Sequence, residues 1–237
     1  MGFSPKFREI PLDCLLAPRS LLFRGIGNMS HLDALDGLVF ETDRNGTIRA
    51  IGAHNWNSFA VENDAPELTS DAVIGRNLFS FVEGEQVRDQ LKTILERISQ
   101  DPNRAWVLPF RCDAPLRQRN VLQSLRPIFS GHVCDGFVFH SFQQFSWQRP
   151  PMGLYDFKRH IELAKQDPDL PVVTMCSWCQ RVQFSPIGGA NWITAEDYYS
   201  NGGRSEVRVT HGICEDCMET TLNPLPITKY PNWDGSA

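Results

Sequence analysis

Apolar and polar positions fall into regular patterns from residue 36 onward. Gly37-Leu38-Val39-Phe40-Glu41-Thr42 reads as a strand, Asp43-Arg44-Asn45-Gly46 as a tight turn, and Thr47-Ile48-Arg49-Ala50-Ile51 as the returning strand. Asn-Gly between two such runs is a strong hairpin signal, because both central positions of the favoured turn take positive φ. Asn55 is a candidate cap for a short helix holding Trp56, Phe59 and Ala60. A second helical turn is expected from Ser70 to Val73, ending before Gly75. The clearest helix runs from Glu85 to Ile98. Val87, Leu91, Ile94, Leu95 and Ile98 recur there at three- and four-residue spacing with charged residues between them. Asp101-Pro102-Asn103 stops it. Three strands follow, Ala105 to Asp113, Asn120 to Phe129 and Asp135 to Phe142, separated by turn-rich segments at Ala114-Pro115 and Ser130-Gly131.

This pattern divides the chain. Residues 1–34 are weakly periodic and read as an N-terminal extension packing on a domain at 35–146. Residues 147–170 read as a linker followed by an amphipathic helix, Tyr155 to Gln166, with Phe157, Ile161 and Ala164 on one face. A cysteine-bearing module occupies 171–222, and a proline-rich tail fills 223–237.

Composition narrows the class. Hydrophobic residues make up 41% and charged residues 22%, as in soluble globular proteins. No apolar run approaches the roughly 20 residues needed to cross a bilayer. Met1-Gly2-Phe3-Ser4-Pro5-Lys6 lacks the apolar core of a secretory signal, so the chain reads as cytoplasmic, without membrane association. The net charge is −5, and Lys158 to Glu219 holds six Lys or Arg against nine Asp or Glu. That balance argues against nucleic acid as a partner.

The most telling chemistry is Cys176-Ser-Trp-Cys179 and Cys214-Glu-Asp-Cys217, with 34 residues between the pairs. Two residues between thiolates allow a tight turn to place both sulfurs about 3.7 Å apart on one edge of a metal with roughly 2.3 Å bonds. Two such turns close a four-sulfur cage with no open position, which points to a structural zinc ion. The rival reading is a redox or transient disulfide role, but redox C-x-x-C motifs occur singly beside a βαβ unit. In a reducing compartment Cys14, Cys112 and Cys134 are expected as free thiols. The second pair can open a helix at Met218, and the module suggests a zinc ribbon or treble clef.

Asp43-Arg44-Asn45-Gly46-Thr47-Ile48, Trp56-Asn57-Ser58-Phe59-Ala60 and Ile74-Gly75-Arg76-Asn77-Leu78-Phe79-Ser80-Phe81 occur in an order that resembles a PAS domain over Leu35 to Phe142. The resemblance implies an α+β fold: a five-stranded antiparallel sheet with flanking helices, built in the order ββ, short helices, long helix, βββ. Phe110-Arg111-Cys112-Asp113 with Arg119 resembles a subset of bacterial PAS proteins. Met175 to Cys217 resembles a short cysteine module at the end of bacterial sensory proteins with PAS or GAF domains. Its C-S-x-C pair, Trp with acidic helix, and S-H-G-x-C-x-x-C close match Cys176 to Cys179, Trp192 with Glu196, and His211 to Cys217, with Thr210 in place of serine.

PAS resemblance implies a ligand between the sheet and the long helix. Haem would need a histidine on or near that helix, and Glu85 to Ser99 has none; a flavin photoadduct would need a cysteine between Gly75 and Phe81. Neither cofactor is therefore the expected occupant. Trp56, Arg111, Cys112 and Arg119 are the candidate ligand or partner contacts. Each has a plainer reading: Trp56 and Trp192 as core anchors, Cys112 as a buried thiol sharing strand parity with Trp106 and Phe110, and the arginines as a solvated face. Arg104, Arg111, Arg117, Arg119 and Arg126 are opposed only by Asp113. His211 is expected beside the metal, steadying a sulfur or a carbonyl through its ring, with a direct ligand role as the alternative.

No phosphate-cradling loop or nucleophile elbow is present. The sequence points to a non-enzymatic sensory protein that senses a small ligand, redox state or partner and docks a protein partner, as a homodimer. The alternatives are a zinc-containing regulator that touches DNA, and an enzyme whose site is assembled from scattered cysteines and arginines.

Overall fold

The computed structural model describes residues 31–63, 65–184 and 191–222. The expected extension before residue 31, Cys14 and the tail from residue 223 lie outside the described residues. Strands β1 (Leu38–Asp43) and β2 (Ile48–Ile51) form the expected hairpin. Its loop differs from the expected two-residue turn. The Gly46 amide donates to the Asp43 carbonyl at 3.1 Å and the Asp43 amide to the Thr47 carbonyl at 2.8 Å, while only Gly46 takes positive φ, 87°. This is a turn closed by a left-handed glycine and one residue longer. The Asp43 carboxylate sets that length by accepting the amides of Asn45 and Thr47, each at 2.8 Å.

Helix α1 (Ala53–Glu62) starts after Gly52 without a side-chain cap. Asn55, expected as that cap, lies inside the helix and donates to the Leu35 carbonyl at 2.9 Å. Helices α2 (Ser70–Val73) and α3 (Glu85–Ile98) fall where the spacing puts them, α2 being capped by the Thr69 hydroxyl. Strands β3 (Trp106–Arg111), β4 (Arg117–Ser130) and β5 (Val133–Gln148) complete an antiparallel sheet in the order β2-β1-β5-β4-β3. The fold is mixed α+β, with the element order that the PAS resemblance implies. Under the sheet, Phe40 stacks on Phe139 at 4.6 Å between centroids, and Ile94, Leu95 and Ile98 of α3 share a core with Trp106, Leu108 and Leu125.

Strand β5 runs past Phe142 to Gln148, beyond its expected end. The pairing shifts register between Asn120 and Val121, and beyond that bulge Phe145 and Trp147 stack at 5.7 Å in an exposed position. The segment expected as a linker is bonded and packed. The Arg149 and Met152 amides donate to the Leu116 and Pro115 carbonyls, and Leu154 and Tyr155 are buried. Helix α4 (Phe157–Gln166) follows, capped by the Asp156 carboxylate. Buried His160 on α4 bridges the Gly153 and Val207 carbonyls, at 2.9 and 2.8 Å.

The C-terminal module contains β6 (Val172–Cys176), β7 (Val182–Phe184), β8 (Asn191–Ile193), α5 (Ala195–Ser200), β9 (Arg208–Gly212) and α6 (Glu215–Leu222). Its sheet order is β8-β7-β6-β9, and β6 and β9 are parallel. Leu154, Tyr155, Met175, Val182 and Tyr198 form its own core. The module is also built into the first domain: Cys176, Trp178, Ile213 and Cys214 belong to the same core as Ile94 and Trp106. Burying a large apolar side chain such as Trp178 or Ile213 contributes about 1.5–3 kcal/mol. Three directed bonds add to this contact. The Arg111 amide donates to the Trp178 carbonyl at 2.7 Å, the Ile213 amide to Gln86 Oε1 at 3.1 Å, and the Asp113 amide to Gln180 Oε1 at 3.0 Å. Gly84, at φ 86°, opens α3 where a Cβ would stand 2.6 Å from the His211 carbonyl oxygen. Only glycine permits that approach.

Candidate metal centre and ligand cavity

Parallel pairing of β6 with β9 sets the ends of the two strands side by side, so the turn after each carries its cysteine pair to one place. In the first turn the Gln180 amide donates to the Cys176 carbonyl at 2.9 Å, and Gln180 takes φ 57°, a conformation usual for glycine. Its side chain is the one that holds the Asp113 amide, which offsets the backbone strain. In the second turn the Cys214 carbonyl accepts the Met218 amide at 2.8 Å and opens α6.

The four sulfurs of Cys176, Cys179, Cys214 and Cys217 lie within 4.8 Å of one another, the one such group of potential ligands found among the described residues. Cys179 and Cys214 sulfurs are 3.7 Å apart, matching the edge of a tetrahedron with bonds of about 2.3 Å. A donor set of four thiolates suits a soft or borderline metal ion and leaves no open position for a substrate.

Charge at this centre is managed by Arg181. Its Nε lies 3.3 Å from the Cys179 sulfur, and its Nη2 lies 3.2 Å from the Cys214 sulfur and 2.6 Å from Asp216 Oδ2. Hydrogen bonds from Cys176 and Cys217, followed by that of Arg181, pull the Cys179 thiol well down. The shared bond with Cys179 pushes Cys176 up to about 11. Sequence reasoning missed Arg181, although a cation two residues after the first cysteine pair is a visible signal. Arg181→Ala is expected to speed metal transfer to a competing chelator several-fold with the fold retained, as followed with a colorimetric chelator. Equal transfer rates would remove Arg181 from this role.

His211 does not stand where the spacing suggested. Its Nδ1 lies 3.0 Å from Glu83 Oε2, close enough for an ion pair but without the alignment of a directed hydrogen bond, and its ring sits 5.6 Å from that of Phe157. The imidazole thus faces the entry to α3. The reason is strand parity: on β9 its peptide pairs with Met175, while the sulfurs gather beyond the strand end.

A cavity of about 430 Å³ lies between α1 and the sheet, walled by Phe40, Trp56, Phe59, Phe110, Cys112 and Arg119 among others. It sits beside α1 rather than under α3, whose apolar face is filled by the sheet. Three candidate contacts meet there. Trp56 also anchors the wall through Nε1 to the Leu68 carbonyl at 2.8 Å. At Cys112, burial pushes the thiol up and outweighs the opposing pull of Arg119, which favours the neutral, unreactive form. Arg119 is 5% exposed and donates from Nη1 to Asn63 Oδ1 at 2.9 Å.

Arg111 is not part of this cavity. Its guanidinium pairs with Asp113, whose carboxylate is wholly buried. Arg149 Nη1 contacts the same carboxylate at 3.0 Å while its guanidinium carbon lies 4.0 Å over the Tyr155 ring, and the Arg119 amide donates to Asp113 Oδ1 at 3.0 Å. Arg104, Arg117 and Arg126 are exposed. Sequence reasoning did not find Arg149, because it lies 36 residues from Asp113 in the segment read as a linker.

These features define a PAS-like α+β domain joined through a common core to a four-cysteine module. No family model and no curated protein matches the chain. Among solved structures it is similar to the PAS domain of Bordetella pertussis BvgS, with 14% identity and a TM-score of 0.37 over 48% of this chain and 81% of that one. It is also similar to the PAS domain of an HTR-like protein from Haloarcula marismortui, with 17% identity and a TM-score of 0.33 over 47% and 90% of the two chains. Cycle PAS-B from Drosophila melanogaster, solved with bound ethylene glycol, gives 10% identity and a TM-score of 0.33 over 45% and 98%. No helix among the described residues is long and apolar enough to cross a membrane.

Proposed function

We propose that this chain is a non-enzymatic, cytoplasmic sensory or signal-relay protein. Its PAS-type domain receives a small ligand in the cavity beside α1, and its cysteine module holds one structural zinc ion. The observation that carries this reading is the common core: Phe40, Trp56 and Phe110, which wall the ligand-sized cavity, and Cys176 and Cys214 of the four-cysteine centre belong to or pack on one cluster. Sulfurs all within 4.8 Å of one another leave room for a single ion, which favours zinc over an iron–sulfur cluster. The exposed aromatic strip Phe142, Phe145 and Trp147 offers a surface for a protein partner, the first candidate being a second copy of the chain.

Native mass spectrometry of the freshly purified full chain tests the reading. One zinc per chain, dimers and a retained or added small molecule are the expected result. A metal-free protein, or iron with visible absorbance, would overturn the zinc assignment. A monomer at all concentrations would overturn the dimer.

A further inference from the structure

We infer that the occupant of the cavity beside α1 is a small amphipathic carboxylate, with its acid group on Arg119 and its apolar body among Phe40, Phe59 and Phe110. This rests on reading that cavity as the ligand site. Arg119 is buried, and a guanidinium keeps its charge at any accessible pH. Its Nη1 is met by the neutral Asn63 carbonyl, and its Nε is buried without a hydrogen-bond partner. Among the described residues no carboxylate lies within ion-pair distance of it. Glu62, the acid on the cavity wall, is exposed and forms no such pair, and the Asp113 carboxylate is committed to Arg111 and Arg149. Two guanidiniums, those of Arg111 and Arg149, thus share the one buried carboxylate, while the Arg119 guanidinium is met by the Asn63 carbonyl and the face of the Phe59 ring, 5.6 Å away, and by no anion among the described residues.

Leaving a buried charge unpaired is costly, so a group that answers it binds with a built-in advantage. A carboxylate presents two oxygens in the plane that a guanidinium edge recognises. The rest of the chemistry limits the class. Leu38 and Val121 add to the rings, and the polar part of the wall, Gln123 and Ser141 among it, is neutral apart from Arg119 and Glu62, so a dianion would meet one cation, a repelling carboxylate and no second positive charge. At about 430 Å³ the space is at the lower end of small-molecule sites, about 300–1,000 Å³. A monocarboxylate with an aryl or short alkyl body meets each of these conditions.

Isothermal titration of the metal-loaded full chain with 3-phenylpropionate, and with 3-phenylpropan-1-ol as its neutral counterpart, tests the inference. The acid is expected to bind about tenfold more tightly or better than the alcohol. Arg119→Gln should remove that preference. Asn63→Asp should do the same by placing a carboxylate on Arg119 from within the chain, and it keeps the test valid if Arg119→Gln does not fold. Equal binding of acid and alcohol to the wild type overturns the carboxylate assignment while the cavity reading stands. Binding of neither overturns both.

Discussion

Cys214→Ser is expected to release the metal and to destabilise both halves of the molecule together. Cys214 is buried, its amide faces the Cys176 sulfur at 3.5 Å, and its neighbours in the core include Ile213, Trp178 and Trp106. Serine is a far weaker ligand for a soft site, and structural zinc contributes apparent binding energies of about 10–16 kcal/mol in small folded peptides. A loss of even about 4 kcal/mol corresponds to roughly 8–16 °C in melting temperature for a chain of this size. The freed turns would also withdraw the Trp178 carbonyl from Arg111 and the Ile213 amide from Gln86. Metal content, thermal unfolding and hydrogen exchange together check this outcome. Metal loss with unchanged protection of α3 and β3 amides would show that the halves are stable independently.

The second large effect is expected at Asp113. Asp113→Asn keeps the shape and can still accept the Arg119 amide, but it leaves Arg111 and Arg149 without their buried counter-charge. Breaking a buried ion pair in this way costs about 3–5 kcal/mol. Urea denaturation should show the loss. Adding Arg149→Met should recover part of it, since methionine can pack on Tyr155 without needing a partner. A loss below about 1 kcal/mol would mean that water already satisfies these guanidiniums.

Helix α3 was legible because Val87, Ile94, Leu95 and Ile98 repeat on one face that is buried along its length. The hairpin was legible from Asn45-Gly46, but its loop type was decided by the Asp43 carboxylate, which a dipeptide signal does not weigh. The end of β5 was hidden for the opposite reason. From Phe142 to Gln148 both faces are exposed, so burial imprints no alternation there. The sulfur cluster followed from local spacing, whereas the direction of His211 and the reach of Arg181 depend on strand parity and turn shape. The joining of the two cores left no periodic trace. Trp178 and Ile213 are apolar residues in turns, and their partners on α3 and β3 lie far away in sequence.

That joint has a consequence during synthesis. Strand β5 ends at residue 148, and the last cysteine of the cluster that closes the joint is residue 217, so the cover is complete only 69 residues after the sheet. At about 5–20 residues per second, the nascent sheet waits about 3–14 s with the apolar surface that receives Trp178 and Ile213 open to solvent. With zinc in the four-cysteine centre, as proposed, metal supply in the cell would act at the moment of birth. Under the proposed zinc reading, a chain that meets its ion promptly closes over that surface, and a starved one is exposed to aggregation and proteolysis.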